Sequence, residues 1–371
     1  MNMSEDASDF REESQSLANA WMRHDEEFLA SYLKLSVQNP GFNPQSILTR
    51  YAILEYLCDE DISEMKYNEL LFSAVMLWVY QNMEILDDPY ERKSLQYALE
   101  TSAESTETIR IPRILKEAWS RIIIFKGEKI LPTYLKKILN INGDNSGIAE
   151  TKPGIGDISE REINYQRKLN QEVATEFLDI WRRLLPSMKI RRGDVLEPAC
   201  GAANDYSAIH YMGLDKFINY QGFDICEKNV KVARSLYQDA NITIGNIYDE
   251  AFGKNYDVIY VHDLFEHLSE KGVGFSIEKL CRHCDGVLCL NFFNMEEIPE
   301  HIIRSVAGYH WNTLSRPKIC ELIESFGFDV QTINILSFFR DVYCLEPEIA
   351  TEEFYNPRAH TLICRKRKSR Q

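Results

Sequence analysis

Two carboxylates, each closing a short apolar run, carry the strongest chemical signal in this sequence. Glu197 ends the run Asp194-Val-Leu-Glu197, and Asp224 ends Tyr220-Gln-Gly-Phe-Asp224. Between them lie a turn of small residues, Ala199-Cys-Gly-Ala-Ala203, and a helical stretch, so the order is strand, turn, helix, strand, acid. An open α/β sheet takes its ligands in the crevice beyond the carboxyl ends of its strands. At that point Ala199, Gly201, Ala202 and Ala203 let a ligand come close to the backbone. Asp224 stands 23 residues after Gly201, where a carboxylate can accept both hydroxyls of a ribose.

A dinucleotide is the competing ligand. Its pyrophosphate needs a helix N-terminus approached through Gly-x-Gly-x-x-Gly, and this turn offers only Gly201. Asn204 and Asp205 stand where phosphates would lie, and Asp205 would repel them. An adenosyl sulfonium has no phosphate and tolerates an acidic neighbour.

On these residues the chain resembles the class I S-adenosylmethionine-dependent methyltransferases over about residues 160 to 365. The resemblance implies that Glu197 meets the methionine amino group, Ala199 and Gly201 lie under the cofactor, and Asp224, followed by Ile225, holds the ribose. Gly245-Asn246-Ile247 stand at the end of the third strand, where the family usually has Gly-Asp-x. There the Asn246 side chain and the Ile247 amide would meet the adenine. His262 and Asp263, just past the strand Tyr256 to Val261, would face the methionine end and the acceptor.

Methyl transfer from a sulfonium is an in-line displacement, so positioning and exclusion of water carry most of the rate. A base is needed for a poorly acidic hydroxyl or a protonated amine, and His310, His267 and Asp263 are the candidates. Residues 292 to 312 form a long connection rich in such chemistry. Phe293, Asn294, Tyr309, Trp311 and Asn312 read as acceptor-binding groups.

Strands alternating with helices from about residue 159 onward predict a Rossmann-like, doubly wound parallel sheet of about seven strands. The strands are expected at Asp194 to Glu197, Tyr220 to Asp224, Ile242 to Asn246, Tyr256 to Val261, Gly286 to Asn291, Val330 to Leu336 and His360 to Arg365. Residues 1 to 139 show helical spacing and read as an all-helical N-terminal domain for acceptor recognition, a lid or dimerisation. Trp21, Trp78 and Trp119 lie within its apolar stripes. Residues 140 to 158, with four glycines, read as a linker, followed by a helix that ends near Pro186.

A net charge of -15 argues against a broad nucleic-acid or anionic-membrane surface. The longest apolar run, Leu70 to Tyr80, falls short of the roughly 20 residues of a membrane span. The first nine residues lack the features of a secretory leader, so a cytoplasmic protein is expected. Nine scattered cysteines fit reduced thiols. Cys281-x-x-Cys284 lacks a second pair for zinc, and His262-x-x-x-Glu-His267 is one residue longer than the zinc peptidase pattern, so no metal is expected. The acceptor is read as a small or medium molecule such as a sugar or specialised metabolite, the alternatives being a peptide or protein gripped by the helical domain and a non-catalytic S-adenosylmethionine-binding scaffold, with a homodimer through the helical domain left open. The basic run Arg365 to Arg370 reads as a solvated tail.

Overall fold

The computed structural model describes residues 3–23, 44–58, 192–211, 214–249, 251–306, 308–338 and 356–367. Its elements are α1 (Met3–Arg23), α2 (Pro44–Cys58), β1 (Gly193–Pro198), α3 (Asn204–Tyr211), β2 (Ile218–Asp224), α4 (Glu227–Leu236), β3 (Asn241–Ile244) and β4 (Tyr256–His262). There follow α5 (Glu270–His283), β5 (Cys284–Phe292), four two-residue strands β6 to β9 between Met295 and Ser315, α6 (Arg316–Ser325), β10 (Phe328–Asn334) and β11 (His360–Lys366).

The seven long strands form one sheet in the order β10-β11-β5-β4-β1-β2-β3. The order reverses at β1, which has β2 on one side and β4 on the other, and such a switch point opens a crevice at the carboxyl ends of the strands. The expected all-parallel sheet needs one correction. β11 lies between β5 and β10 and runs antiparallel to both, an arrangement that needs no crossover helix between β10 and β11. β3 is also shorter than expected. It stops at Ile244, whose pairing with Asp224 is closed by the Gly245 amide donating to the Asp224 carbonyl, and beyond it the Asn246 side chain turns the chain.

Period-two alternation sorts the strand residues between the two faces. Leu196, Phe223, Ile259, Val261, Leu288 and Leu290 pack with Ile277, Leu280 and Ile319 of α5 and α6 in one apolar core. The opposite face carries Val195, Tyr220, Val258, Tyr260 and Cys289, and α2 packs there. α2 buries Leu48, Ala52 and Ile53 and also makes polar contacts with the sheet. Thr49 receives the Asn291 amide at 2.9 Å, Tyr56 donates to Asp257, and Glu55 pairs with Arg365. Phe10, Leu17 and Ala20 of α1 join the apolar core. Of the two described N-terminal helices, α2 thus packs directly on the sheet, and α1 packs against segments beyond the strand ends.

The Leu70 to Val79 stripe, Trp78, Trp119, the linker at 140–158, the helix expected before Pro186 and the tail beyond Arg367 lie outside the described residues, as does the side chain of Trp21. No helix among the described residues is long and apolar enough to cross a membrane, and among them no cluster of three or more His, Cys, Asp or Glu could hold a metal ion.

Candidate functional site

The turn after β1 takes an unusual path. Ala199, Gly201 and Ala203 all have positive φ, at 56°, 54° and 63°. A left-handed conformation costs an L-residue with a Cβ about 1–2 kcal/mol, so two alanines here hold strain that glycine would not. Replacing Ala199 by glycine is therefore expected to leave stability unchanged or raise it by up to ~1 kcal/mol. Ala208→Gly, inside α3, should lower it by about 1 kcal/mol. Urea unfolding checks both, and a destabilised Ala199→Gly would refute the strain.

Asp224 staples this turn. Its carboxylate accepts from the Gly201 amide at 2.9 Å and the Cys226 amide at 2.8 Å. Burial raises its pKa, opposed by these bonds and by one from Asn229. A carboxylate has about four acceptor positions, so capacity remains for ribose hydroxyls. A Cβ built on Gly201 would meet nothing within 4 Å. The space above this glycine is open, as a ligand lying on the turn requires.

Glu197 is 2 % exposed and lies on the α2 side of the sheet, where its Oε2 accepts from Tyr220 at 2.5 Å and Tyr260 at 2.6 Å. Burial, reinforced by Asp205, pushes its pKa up to about 8. Asp205, in the first turn of α3, accepts from Ser46 and meets His262 Nδ1 at 2.7 Å. Burial alone would raise Asp205, but His262 brings it below its ordinary value. Burial alone would likewise lower His262, and Asp205 with Asp263 lifts it to about 10. Buried Arg50 of α2 adds a second cation, its pKa lowered by burial to about 10 against the pull of Asp205.

Asp263, the first residue past β4, has φ 50° and donates its amide to the Asn291 carbonyl at 3.1 Å. Three residues on, Glu266 is fully buried, and its Oε1 accepts from the Phe293 and Asn294 amides at 2.9 and 3.2 Å. This ties the turn after β4 to the end of β5. His267 donates from Nδ1 to the His310 carbonyl at 3.1 Å, which sets its tautomer. The rings of Phe293, Tyr309 and Trp311 stand 5.7–5.8 Å from its own.

Three expected contacts are differently employed. Asn294 donates to the Asn312 carbonyl and to Thr313. Asn312 donates to the Leu268 carbonyl at 2.6 Å and accepts from the Arg304 amide. Both amides therefore build the loop rather than present themselves to an acceptor. Asn246 Oδ1 accepts from the Tyr248 amide at 3.0 Å, which turns the chain after β3. Ile247 is buried, and Ile225 packs against the core.

α1 lies across the strand ends. Its Glu13 accepts from the Ser269 amide and hydroxyl, both at 2.6 Å, and from Tyr248 at 2.9 Å. Phe10 stacks on Tyr248, and Met22 meets Cys226 just past β2. The helix therefore spans from the end of β2 to the start of α5. Nothing in the spacing of residues 1 to 23 indicates this placement, and the partners of Glu197 and Asp205 on α2, β2 and β4 escape sequence reading for the same reason.

No protein-family model matches the chain, and no curated protein matches it. Solved structures similar to it include the complex of DhpI with SAH, at 15% identity over 56% of this chain and 96% of that one, TM-score 0.34. Another is magnesium protoporphyrin IX methyltransferase from Synechocystis PCC 6803 with bound SAH, at 14% identity over 58% and 91%, TM-score 0.36. A third is a putative S-adenosylmethionine-dependent methyltransferase from Listeria monocytogenes, at 14% identity over 53% and 98%, TM-score 0.37.

Proposed function

We propose that this chain is an S-adenosylmethionine-dependent methyltransferase acting on oxygen or nitrogen of a small or medium acceptor. The observation that carries the reading is Asp224. It ends the strand beside the switch point, grips the Gly201 amide, and retains acceptor capacity beside an open, left-handed small-residue turn. A pyrophosphate fits poorly, because ionised Asp205 occupies the first turn of α3. A nucleoside without phosphates meets no such repulsion.

When bound, S-adenosylmethionine supplies an electrophilic methyl group on a sulfonium. The residues of the chain would orient and enclose it. Asp224 holds the ribose, the turn at 199–203 accommodates the nucleoside, and Ile225 and Ile247 offer apolar surface. Glu197 and His262 stand toward the methionine end. The rings of His267, Phe293, Tyr309 and Trp311 wall the acceptor side and exclude water. Tyr309 and His267 are both buried, and α1 packs against the short strand Tyr309–His310, which favours a closed pocket for a small acceptor over an open peptide groove. Asp263 and His267 are the groups best placed to accept a proton, with His310 beside them. In this reading the N-terminal helices cover the site, in a cytoplasmic protein.

Isothermal calorimetry tests the reading. S-adenosylmethionine and its demethylated product are each expected to bind with measurable heat, and NADH at the same concentration is not. Absence of heat with either adenosyl ligand would remove the enzyme reading and that of a silent adenosylmethionine-binding scaffold together.

A further inference from the structure

Glu266 and Asp263 each keep one buried carboxylate oxygen without a hydrogen-bond partner among the described residues. Glu266 is 0 % exposed, and its Oε1 is fixed on the Phe293 and Asn294 amides, so Oε2 is left over. The Asp263 side chain is 10 % exposed. Its Oδ2 lies 3.6 Å from His262 Nε2, and Oδ1 is left over. A buried carboxylate oxygen without a partner keeps its desolvation penalty uncompensated, and two of them three residues apart are a standing cost that a ligand donating to both would remove. Burial comes first among the causes that raise both acids. Glu266 also feels Asp263, whereas His262 pulls Asp263 the other way.

We infer that Asp263 and Glu266 together receive an ammonium group of the acceptor, so that the reaction is methylation of an amine. This rests on the methyl-donor reading above. A hydroxyl acceptor brings one donor and no charge, and would leave one of the two oxygens uncompensated. A sulfonium has charge but no N–H, so it cannot fill a missing hydrogen bond. An ammonium has three donors and a full charge, and it sits where the β4 turn, the end of β5 and the aromatic wall at His267 meet. The ammonium gives one proton to the Asp263 carboxylate. The nitrogen lone pair then forms the new C–N bond as the methyl–sulfur bond breaks with its electron pair going to sulfur. The positive charge thus passes from sulfur to nitrogen, and the methylated ammonium leaves.

Calorimetry with three cofactor-shaped probes tests this without turnover. They are S-adenosylhomocysteine, S-adenosylmethionine, and sinefungin, in which a carbon bearing an ammonium replaces the methylated sulfur and projects N–H donors toward the acceptor side. Sinefungin is expected to bind the wild-type chain at least tenfold more tightly than S-adenosylhomocysteine. Asp263→Asn and Glu266→Gln should each cut that preference to within threefold while S-adenosylhomocysteine affinity changes by less than threefold. Both variants are shaped to fold, since asparagine tolerates positive φ and glutamine keeps an oxygen for the Phe293 and Asn294 amides. Equal affinities for sinefungin and S-adenosylhomocysteine in the wild type would overturn the inference. So would an equal advantage for S-adenosylmethionine, which would assign the acids to the sulfonium, or a parallel loss of S-adenosylhomocysteine, which would assign them to the cofactor's own amine. Failure of all three probes to bind would remove the methyl-donor reading, and the inference with it.

Discussion

Replacing Asp224 by alanine is expected to weaken S-adenosylmethionine binding by more than tenfold. Two losses combine. Hydrogen bonds to a charged group contribute about 1.5–3 kcal/mol each, and 1.4 kcal/mol is a factor of ten in affinity, so losing one ribose contact already reaches the predicted size. The second loss is of geometry, because the same carboxylate holds the Gly201 and Cys226 amides at 2.9 and 2.8 Å. Without it the left-handed turn keeps only the bond from the Cys200 amide to the Phe223 carbonyl as its hydrogen-bonded anchor on β2. Calorimetry on the folded variant, with a melting curve recorded beside it, measures the effect. Asp224→Asn separates the contributions, since an amide keeps one acceptor for the backbone but brings a donor where the other amide points. Affinity within threefold of wild type in a folded Asp224→Ala protein would mean that the nucleoside lies elsewhere.

Much of this framework is legible in the sequence because it depends on short-range physics. Alternation and turn chemistry locate β1, β2, β4 and β5 to within one or two residues, and the small-residue turn with an acid at the next strand end is local in chain position. β11 shows the limit. Its apolar pattern identifies a strand, but orientation depends on which neighbour it joins, and nothing in His360 to Lys366 encodes that it enters antiparallel between β5 and β10. Asn246 shows another limit, since a side chain suited to an adenine is also suited to an Asx turn, and the Tyr248 amide is the nearer partner.

The polar groups around the site are legible as types and not as partners. Asn294 and Asn312 have the right chemistry for an acceptor, yet Thr313, Leu268 and Arg304 engage them inside the loop. Glu266 could be read with His267 as a fragment of a metal pattern. Its carboxylate instead ties β5 to the turn after β4, a contact across 27 residues of sequence. Glu13 reaches Ser269 across 256 residues. Such contacts depend on how helices pack on the sheet, and the spacing of one segment holds no record of the other.

Stability is expected to fall as pH rises from about 6 to 9, an unusual direction for a chain of net charge -15 whose alkaline limb would ordinarily be flat there. The cause is the buried cluster on the α2 face. Glu197 has its pKa raised from 4.5 to about 8 by burial and Asp205. A raised folded-state pKa gives stability that is complete below the unfolded value and is lost as pH rises through the folded one. For Glu197 that loss runs from about 4.5 to 8. His262, raised from 6.5 to about 10, loses its contribution between those values, and the raised Asp263 and Glu266 act in the same sense. Asp205, lowered, acts oppositely, and its contribution disappears only in acid. Each proton held by the native state and released on unfolding changes stability by about 1.4 kcal/mol per pH unit. Near pH 7.5 Glu197 and His262 both contribute. Melting temperatures from pH 5.5 to 9 should therefore decline steadily, and Glu197→Gln, which keeps an oxygen for Tyr220 and Tyr260 but cannot ionise, should flatten the slope by about one proton. A Glu197→Gln slope equal to that of the wild type would mean that Glu197 is ionised in its tyrosine clasp, and a wild-type melting temperature that stays level or rises would refute the protonated cluster as a whole. The proton on Glu197 also bears on function. In the proposed methyl-donor site, a carboxyl held neutral between two tyrosines would meet a methionine ammonium with a full charge only after releasing that proton, so the ionisation that weakens the fold on the alkaline side would be the one that prepares Glu197 for binding.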